Sequence, residues 1–250
     1  MACWTGKSHG DMRRRRVALE CAGTELPFRR WLRADQVHSG QVWRIGDGED
    51  LSGYGGASQY GAGSKGAPVL SSSGDAVASD DGAFEPGLGP QADAVVTRRH
   101  DVGAMVLTAD CAPVALASPE GVFAAVHAGW RGLLAGIIVE AVMAMRSMGA
   151  SRVIAGLGPC IHVECYEFSE GDLKMLSGVF GESVIGSTAR SRPALDLPAA
   201  VASALQMADA ELVFAVGSCT ACSPKWYSYR ANRDEARQAL MVWRDEHDDK

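Results

Sequence analysis

The sequence predicts an α/β chain, and three features of it carry that prediction. Apolar, β-branched runs bounded by turn residues recur from Ala92 onward, a period of 3.6 residues fills positions 132–148, and strand-like and helix-like segments alternate from there to position 243. Segments that each carry one apolar face bury it by stacking in layers.

In chain order, residues 1–12 read as an extension that the fold can do without, and 13–23 carry a short helical pattern closed by Gly23. The Arg13-Arg14-Arg15-Arg16 run reads as a solvated helix start, since four charges alone are a weak signal for an anion-binding arm. Val42-Trp43-Arg44-Ile45 is strand-like and follows His38, which sits at a loop or strand end. A lone His is more often an ordinary surface or core residue than a ligand. Positions 46–90 are rich in Gly, Ser, Asp and Ala and lack any period of 2 or 3.6. Such a stretch buries too little surface to offset its ordering entropy, so it reads as a long loop in which Tyr54 and Tyr60 either anchor the segment or cap a pocket.

Beyond position 90 the pattern sharpens. A strand is predicted over 92–97, then 102–107, then a hairpin of 114–117 with 122–126 across Pro119-Glu120-Gly121. Centred on that turn, the hairpin puts Cys111 and His127 roughly opposite each other, and paired residues of an antiparallel ladder have Cβ atoms about 4.5–5.5 Å apart. One buried amphipathic helix is predicted over 132–148, with Leu133, Leu134, Ile137, Ile138, Ala141, Val142, Met145 and Met148 on its apolar face and Gly149 as its stop. Its methionines read as core filler. A strand over 152–157, a helix capped by Ser169 running to about 180, a helix from Asp196 to about 208, and strands over 211–217 and 238–243 complete the pattern, followed by a charged tail, 244–250.

With 250 residues, 47% hydrophobic and 22% charged, the chain can bury a full core as one large or two small domains. A net charge of -6 implies no broad cationic surface and so argues against bulk nucleic-acid binding. No run reaches the roughly 18 apolar residues that span a bilayer, and no signal-peptide core opens the chain, so the expectation is a cytoplasmic protein without a membrane partner. Seven cysteines, an odd number, argue for reduced thiols or metal ligands over a disulfide framework.

Three cysteine groupings compete as sites. Cys219-x-x-Cys222 has zinc-knuckle spacing but no second CxxC or His pair nearby, and its context is not that of a redox motif; Cys160 and Cys165 with His162 are weaker still, so buried inert thiols are the expectation there. Cys111 with His127 is the stronger seed, and a catalytic zinc would want a third ligand. The helix after His127 opens with Arg131, whose guanidinium and neighbouring N–H groups suit an anion; the alternative is that Gly129 and Gly132 only permit a tight strand-to-helix turn.

Gln36-Val37-His38, Thr108-Ala109-Asp110-Cys111-Ala112-Pro113, His127-Ala128-Gly129-Trp130-Arg131-Gly132, Gly158-Pro159-Cys160-Ile161 with Cys165-Tyr166-Glu167, and Trp226-Tyr227-Ser228-Tyr229-Arg230 recur in the order of one known family. Over roughly 13–45 and 91–243 the chain resembles the laccase-domain family, whose members are also called multicopper polyphenol oxidases and YfiH- or PgeF-type purine nucleoside phosphorylases. The resemblance implies a single domain over 13–243, built as an α/β (α+β) layered sandwich of mixed sheets flanked by helices, similar to a Cys-His hydrolase architecture. It also implies a metal site of His38, Cys111 and His127, which promotes His38 from bystander to ligand. The chain departs from the family pattern in its longer 46–90 loop and in Ala236, where a Gly normally precedes the late Arg, here Arg237.

The activities implied are phosphorolysis of adenosine, inosine, guanosine and methylthioadenosine, and deamination of adenosine, with a purine nucleoside and phosphate as partners. Zinc on His38, Cys111 and His127 would lower the pKa of a bound water to about 7, while Arg131 and Arg230 position the anion and Glu167 is a conceivable general acid. Copper is the less favoured ion, because laccase chemistry needs a further His-rich copper cluster and the sequence has six histidines in all. A different class of reading makes Cys111 the nucleophile and His127 its base, with Asp110 or a backbone carbonyl orienting the ring, in a metal-free hydrolase acting on an amide such as a peptidoglycan precursor.

Overall fold

The computed structural model describes residues 1–9, 20, 21, 24, 25, 31–49, 51 and 90–244. Two sheets stack face to face, and helices cover the free face of the larger one. The smaller sheet runs β1 (Ala2–Trp4), β14 (Gln238–Val242), β7 (Gly103–Thr108), β4 (Trp31–Leu32), with only β4 parallel to its neighbour. The larger runs β13 (Ala210–Ala215), β10 (Val153–Leu157), β8 (Ala112–Ala117), β9 (Phe123–Ala128), β6 (Ala94–Thr97), β5 (Val42–Ile45), antiparallel in the middle and parallel at both edges. Two short pairs stand apart, β2 (Glu20–Cys21) with β3 (Thr24–Glu25) and β11 (Ile185–Ser187) with β12 (Pro193–Leu195).

The layering follows from side chains that alternate across a strand. In β9, Phe123 and Ala125 pack with Leu32, Val106 and Leu240 of the smaller sheet, while Ala124 and Val126 pack with Ile137, Val142 and Leu205 of the helical layer. Each such fully buried Ile, Leu or Val contributes about 1.5–3 kcal/mol. The helices are α1 (Trp130–Leu134), α2 (Ile137–Ser147), α3 (Glu170–Phe180), α4 (Leu197–Met207) and α5 (Tyr229–Asn232). Ser169 and Asp196 cap α3 and α4 as their sequence positions predict, accepting from the amides of Asp172 at 3.1 Å and Ala199 at 2.9 Å.

Three expectations are corrected. The helix predicted over 132–148 is two helices, because Gly136 adopts a left-handed φ of 80° and redirects the chain between α1 and α2. The opening residues are no loose extension: β1 pairs along β14, Thr5 accepts the amide of Ala239 at 2.8 Å, and the indole of Trp4 lies over Gly158, where a Cβ would collide with it. Of the helical pattern read over 13–23, Glu20–Cys21 forms instead an antiparallel β-pair with Thr24–Glu25, and the rest of that stretch lies outside the described residues.

Cys3 forms a disulfide, and the expected reduced thiols are found at Cys111, Cys160, Cys165, Cys219 and Cys222. Arg13 to Arg16, Tyr54, Tyr60, most of 46–90 and 245–250 lie outside the described residues. Among the described residues no helix is long and apolar enough to cross a membrane.

Candidate metal and active site

Strand register builds the centre of the site. Ala94 pairs with Val126, which sets Asp93 across from His127, and the amide of His127 donates to the carbonyl of Asp93 at 2.7 Å. On the other side of β9 the residue paired with His127 is Pro113, a correction to the expected pairing with Cys111. The hairpin does centre on Glu120, and that symmetry carries Cys111 one step past the Ala112 to Ala128 pair, beside Gly129. A Cβ on Gly129 would lie 2.9 Å from Cδ2 of His38 and 3.0 Å from Sγ of Cys111, so only glycine leaves room for both side chains.

His38 reaches this spot from a loop in which its own φ is 60°, a left-handed conformation rare outside glycine. The buried carboxylate of Asp93 enforces it, accepting from the amides of Val37 (3.3 Å), His38 (3.0 Å) and Ser39 (2.6 Å) and from the Ser39 hydroxyl (3.0 Å). The same carboxylate meets Nδ1 of His127 at 2.8 Å. One acid therefore aims both imidazoles. Their rings stand edge to face at 4.7 Å, Nε2 of His38 is 3.7 Å from Sγ of Cys111, and one donor atom from each of His38, Cys111 and His127 falls within 4.8 Å of the others.

The electrostatics follow from burial and mutual contact. Burial pushes the Cys111 thiol up, yet the facing charge of His127 and hydrogen bonds from both rings outweigh it and bring it to about 6. Burial likewise opposes charge on His127, but Cys111 and Asp93 raise it to about 9. Desolvation works against the Asp93 carboxylate, and its bonds to His127 and the loop amides hold it near 2 despite that. Without a cation the lowered thiol and the raised imidazole both favour a thiolate facing an imidazolium. The residues fit a metal as well, because Nδ1 of His127 is committed to Asp93 and Nε2 is left for a ligand bond, and one sulfur with two nitrogens is a zinc-type donor set.

An aromatic and cationic wall adjoins the cluster. Phe168 stacks edge-on against Trp130 at 5.5 Å and Tyr166 at 4.6 Å, the Arg131 guanidinium lies 4.2 Å over Trp130, and that of Arg230 lies 5.1 Å over Tyr166. Burial above all pushes the Tyr166 hydroxyl well up, the Cys111 and Asp110 charges add to that, and Arg230 and Arg131 oppose it. Glu167 is exposed and its carboxylate is 3.2 Å from Arg192, while its carbonyl accepts from Arg230 at 3.2 Å.

Asp110 does not orient the histidine; its carboxylate accepts from Thr220 at 2.7 Å and from the amide of Arg230 at 2.6 Å, which ties the wall to the strand end bearing Cys111. The orienting acid is Asp93, which sequence reasoning overlooked. Its signal was present, a carboxylate at the head of the apolar run Ala94-Val95-Val96. Tyr166 stood out in the sequence only as part of a motif.

Fold and site together define a layered α/β protein in which a His, a Cys and a His converge at the end of the central hairpin. A family model described as multi-copper polyphenol oxidoreductase laccase matches residues 6–245, and the chain belongs to that family. It is 39% identical over 159 residues to a protein named purine nucleoside phosphorylase in Streptomyces coelicolor, with 62% of this chain and 65% of that one aligned. A protein of the same name in Streptomyces griseus is 40% identical over 159 residues, with 62% and 64% aligned, and one in Mycobacterium tuberculosis 33% identical over 154, with 60% and 61% aligned. The chain thus spans somewhat less than two thirds of each of these relatives. Among solved structures, YlmD of Geobacillus stearothermophilus superimposes with a TM-score of 0.65 at 22% identity, covering 88% of this chain and 76% of that one. The YfiH protein of Bacillus licheniformis does so with 0.65 at 22%, covering 86% and 74%. These two share the fold.

Proposed function

We propose that the chain is a purine nucleoside phosphorylase whose site holds a divalent cation, zinc by its donor set, on His38, Cys111 and His127. The observation that carries this reading is the convergence of those three side chains within 4.8 Å, supported by the names of the relatives. Bound zinc would supply Lewis acidity and an acidified water, with one coordination position left for solvent or substrate. Copper suits the same donors, but the second, His-rich copper cluster of a laccase has too few imidazoles here, six in the sequence.

The rest falls to the chain's own residues. In phosphorolysis a phosphate oxygen bonds to C1′ of the ribose while the C1′–N bond breaks and its electron pair stays with the base. The site must therefore hold an anion and a flat ring side by side. Arg131 and Arg230 supply the cationic side, Trp130, Tyr166 and Phe168 the aromatic one, and Asp93 keeps His127 in a single orientation. Adenosine, inosine, guanosine and methylthioadenosine are the substrates to try, with adenosine deamination as a second reaction at the same place. Glu167 is assigned to support of Arg230 and Arg192 in preference to proton donation, because its carboxylate is exposed and paired.

One observation favours a second reading. Cys111, His127 and Asp93 line up as nucleophile, base and orienting acid, the order a metal-free thiol hydrolase needs. Incubating zinc-loaded protein with adenosine, with and without phosphate, separates the two. Adenine formed only with phosphate supports the phosphorylase and hypoxanthine or inosine supports the deaminase. If no product forms under either condition the purine reading is overturned, and metal-free protein inactivated by iodoacetamide then points to the hydrolase.

A further inference from the structure

We propose that Glu164, Cys165, Cys219 and Cys222 form a second metal site, thiolate-rich and structural, that takes a soft divalent cation such as zinc. By sequence alone Cys219-x-x-Cys222 lacks partners; the fold brings them from more than fifty residues away in the chain, on the single 3-10 turn Val163–Cys165. Sγ of Cys165 is 3.2 Å from Sγ of Cys222, which is 3.4 Å from Oε1 of Glu164, and all four donor atoms lie within 4.8 Å of one another. Zinc bonded at about 2.3 Å to each of several sulfurs spaces them about 3.8 Å apart in a tetrahedron, so small shifts suffice to seat it. The amide of His162 donates to Sγ of Cys219 at 3.4 Å, the kind of outer contact that holds a thiolate ligand in place.

The cluster has a way in, since Cys222 is exposed while Cys219 is buried. Four protein ligands leave no open position, which marks a structural site. On binding, the three thiols release their protons to solvent and the ion replaces them. A disulfide between Cys165 and Cys222 would leave Cys219 and Glu164 unused, and the two sulfurs sit well beyond the roughly 2.05 Å of that bond. Thr220, between two of the ligands, donates to Asp110, so a cation here would brace the wall beside Cys111. The second site rests on its own four side chains and does not depend on the reading of the first.

The test is metal content and cobalt spectroscopy on the full chain purified under reductant. Two zinc ions per chain are expected, falling to one in the His38→Ala, Cys111→Ala double variant. The remaining site should bind cobalt with intense thiolate charge transfer. Adding Cys165→Ser or the exposed Cys222→Ser should cut that band by about a third, one thiolate of three, and weaken zinc at least tenfold. In the unaltered chain the spectrum should count at least the three thiolates of this site, with a fourth where Cys111 also binds, which keeps the test independent of the first site and of how the double variant folds. Cobalt seen by one thiolate only, a double variant that is folded yet binds no metal, or a Cys165 to Cys222 disulfide in protein kept reduced would each overturn the proposal.

Discussion

Oδ1 of Asp93 lies 2.8 Å from Nδ1 of His127, and the same buried carboxylate gathers the amides of Val37, His38 and Ser39. Asp93→Asn keeps the shape and removes the charge that fixes both rings. Zinc affinity should fall 10–100-fold with activity following, as measured by chelator competition. Asp93→Ala should cost about 3–5 kcal/mol in urea unfolding, because it strips the partner from a buried, charged histidine.

Gly129→Ala places a methyl group against His38 and Cys111, at 2.9 and 3.0 Å from their nearest atoms. The expected outcome is a chain with an unchanged far-ultraviolet circular dichroism spectrum that no longer retains one zinc on dialysis. Normal metal content in this variant would show that the two side chains do not share an ion.

In metal-free protein Cys111 has its thiol at about 6, so its alkylation by iodoacetamide should rise with pH to a plateau above about 7. Buried Cys160, pushed up by desolvation and nearby acidic groups, should stay unmodified in the folded chain. Adding zinc should slow the reaction of Cys111 at least tenfold, read by peptide mass spectrometry.

Arg230→Ala should raise the KM for phosphate about 10–100-fold, the scale of one lost charged hydrogen bond, with a smaller effect on the KM for nucleoside. Arg131→Ala should act in the same direction, since its guanidinium lies on the same wall, over Trp130 at 4.2 Å. Equal effects on both constants would assign these residues to the fold instead of the anion.

Glu120, at the tip of the β8 to β9 hairpin, is held near 2 by the hydroxyl and the amide of Ser151, the amide at 3.1 Å. Its folded value is below the ordinary 4.5, so it stabilises the fold fully above that pH and the contribution disappears as pH falls toward about 2. The urea midpoints of the unaltered chain and Glu120→Gln should therefore differ at neutral pH and converge across that window. A difference that persists at pH 2 would disprove it.

Much of the architecture was legible along the chain because it rests on local periodicity and capping. The strands around Val95, Val106, Val114 and Val126 and the caps Ser169 and Asp196 required only near neighbours. The break at Gly136 was missed because its neighbours keep a helical apolar period, which hides a left-handed residue. The N-terminal strand was missed because β1 is held in place by β14, a partner more than two hundred residues distant.

Local sequence, then, determined the sheets and helices, the central hairpin and the presence of a Cys and a His near its open end, since each follows from alternation, turn chemistry and caps acting over a few residues. Tertiary structure alone decided that Asp93 orients both histidines, that Pro113 and not Cys111 pairs with His127, and that Glu164 and Cys165 complete the Cys219 and Cys222 pair. Those relations depend on the register between strands and on loops meeting in space, and no short-range pattern encodes either.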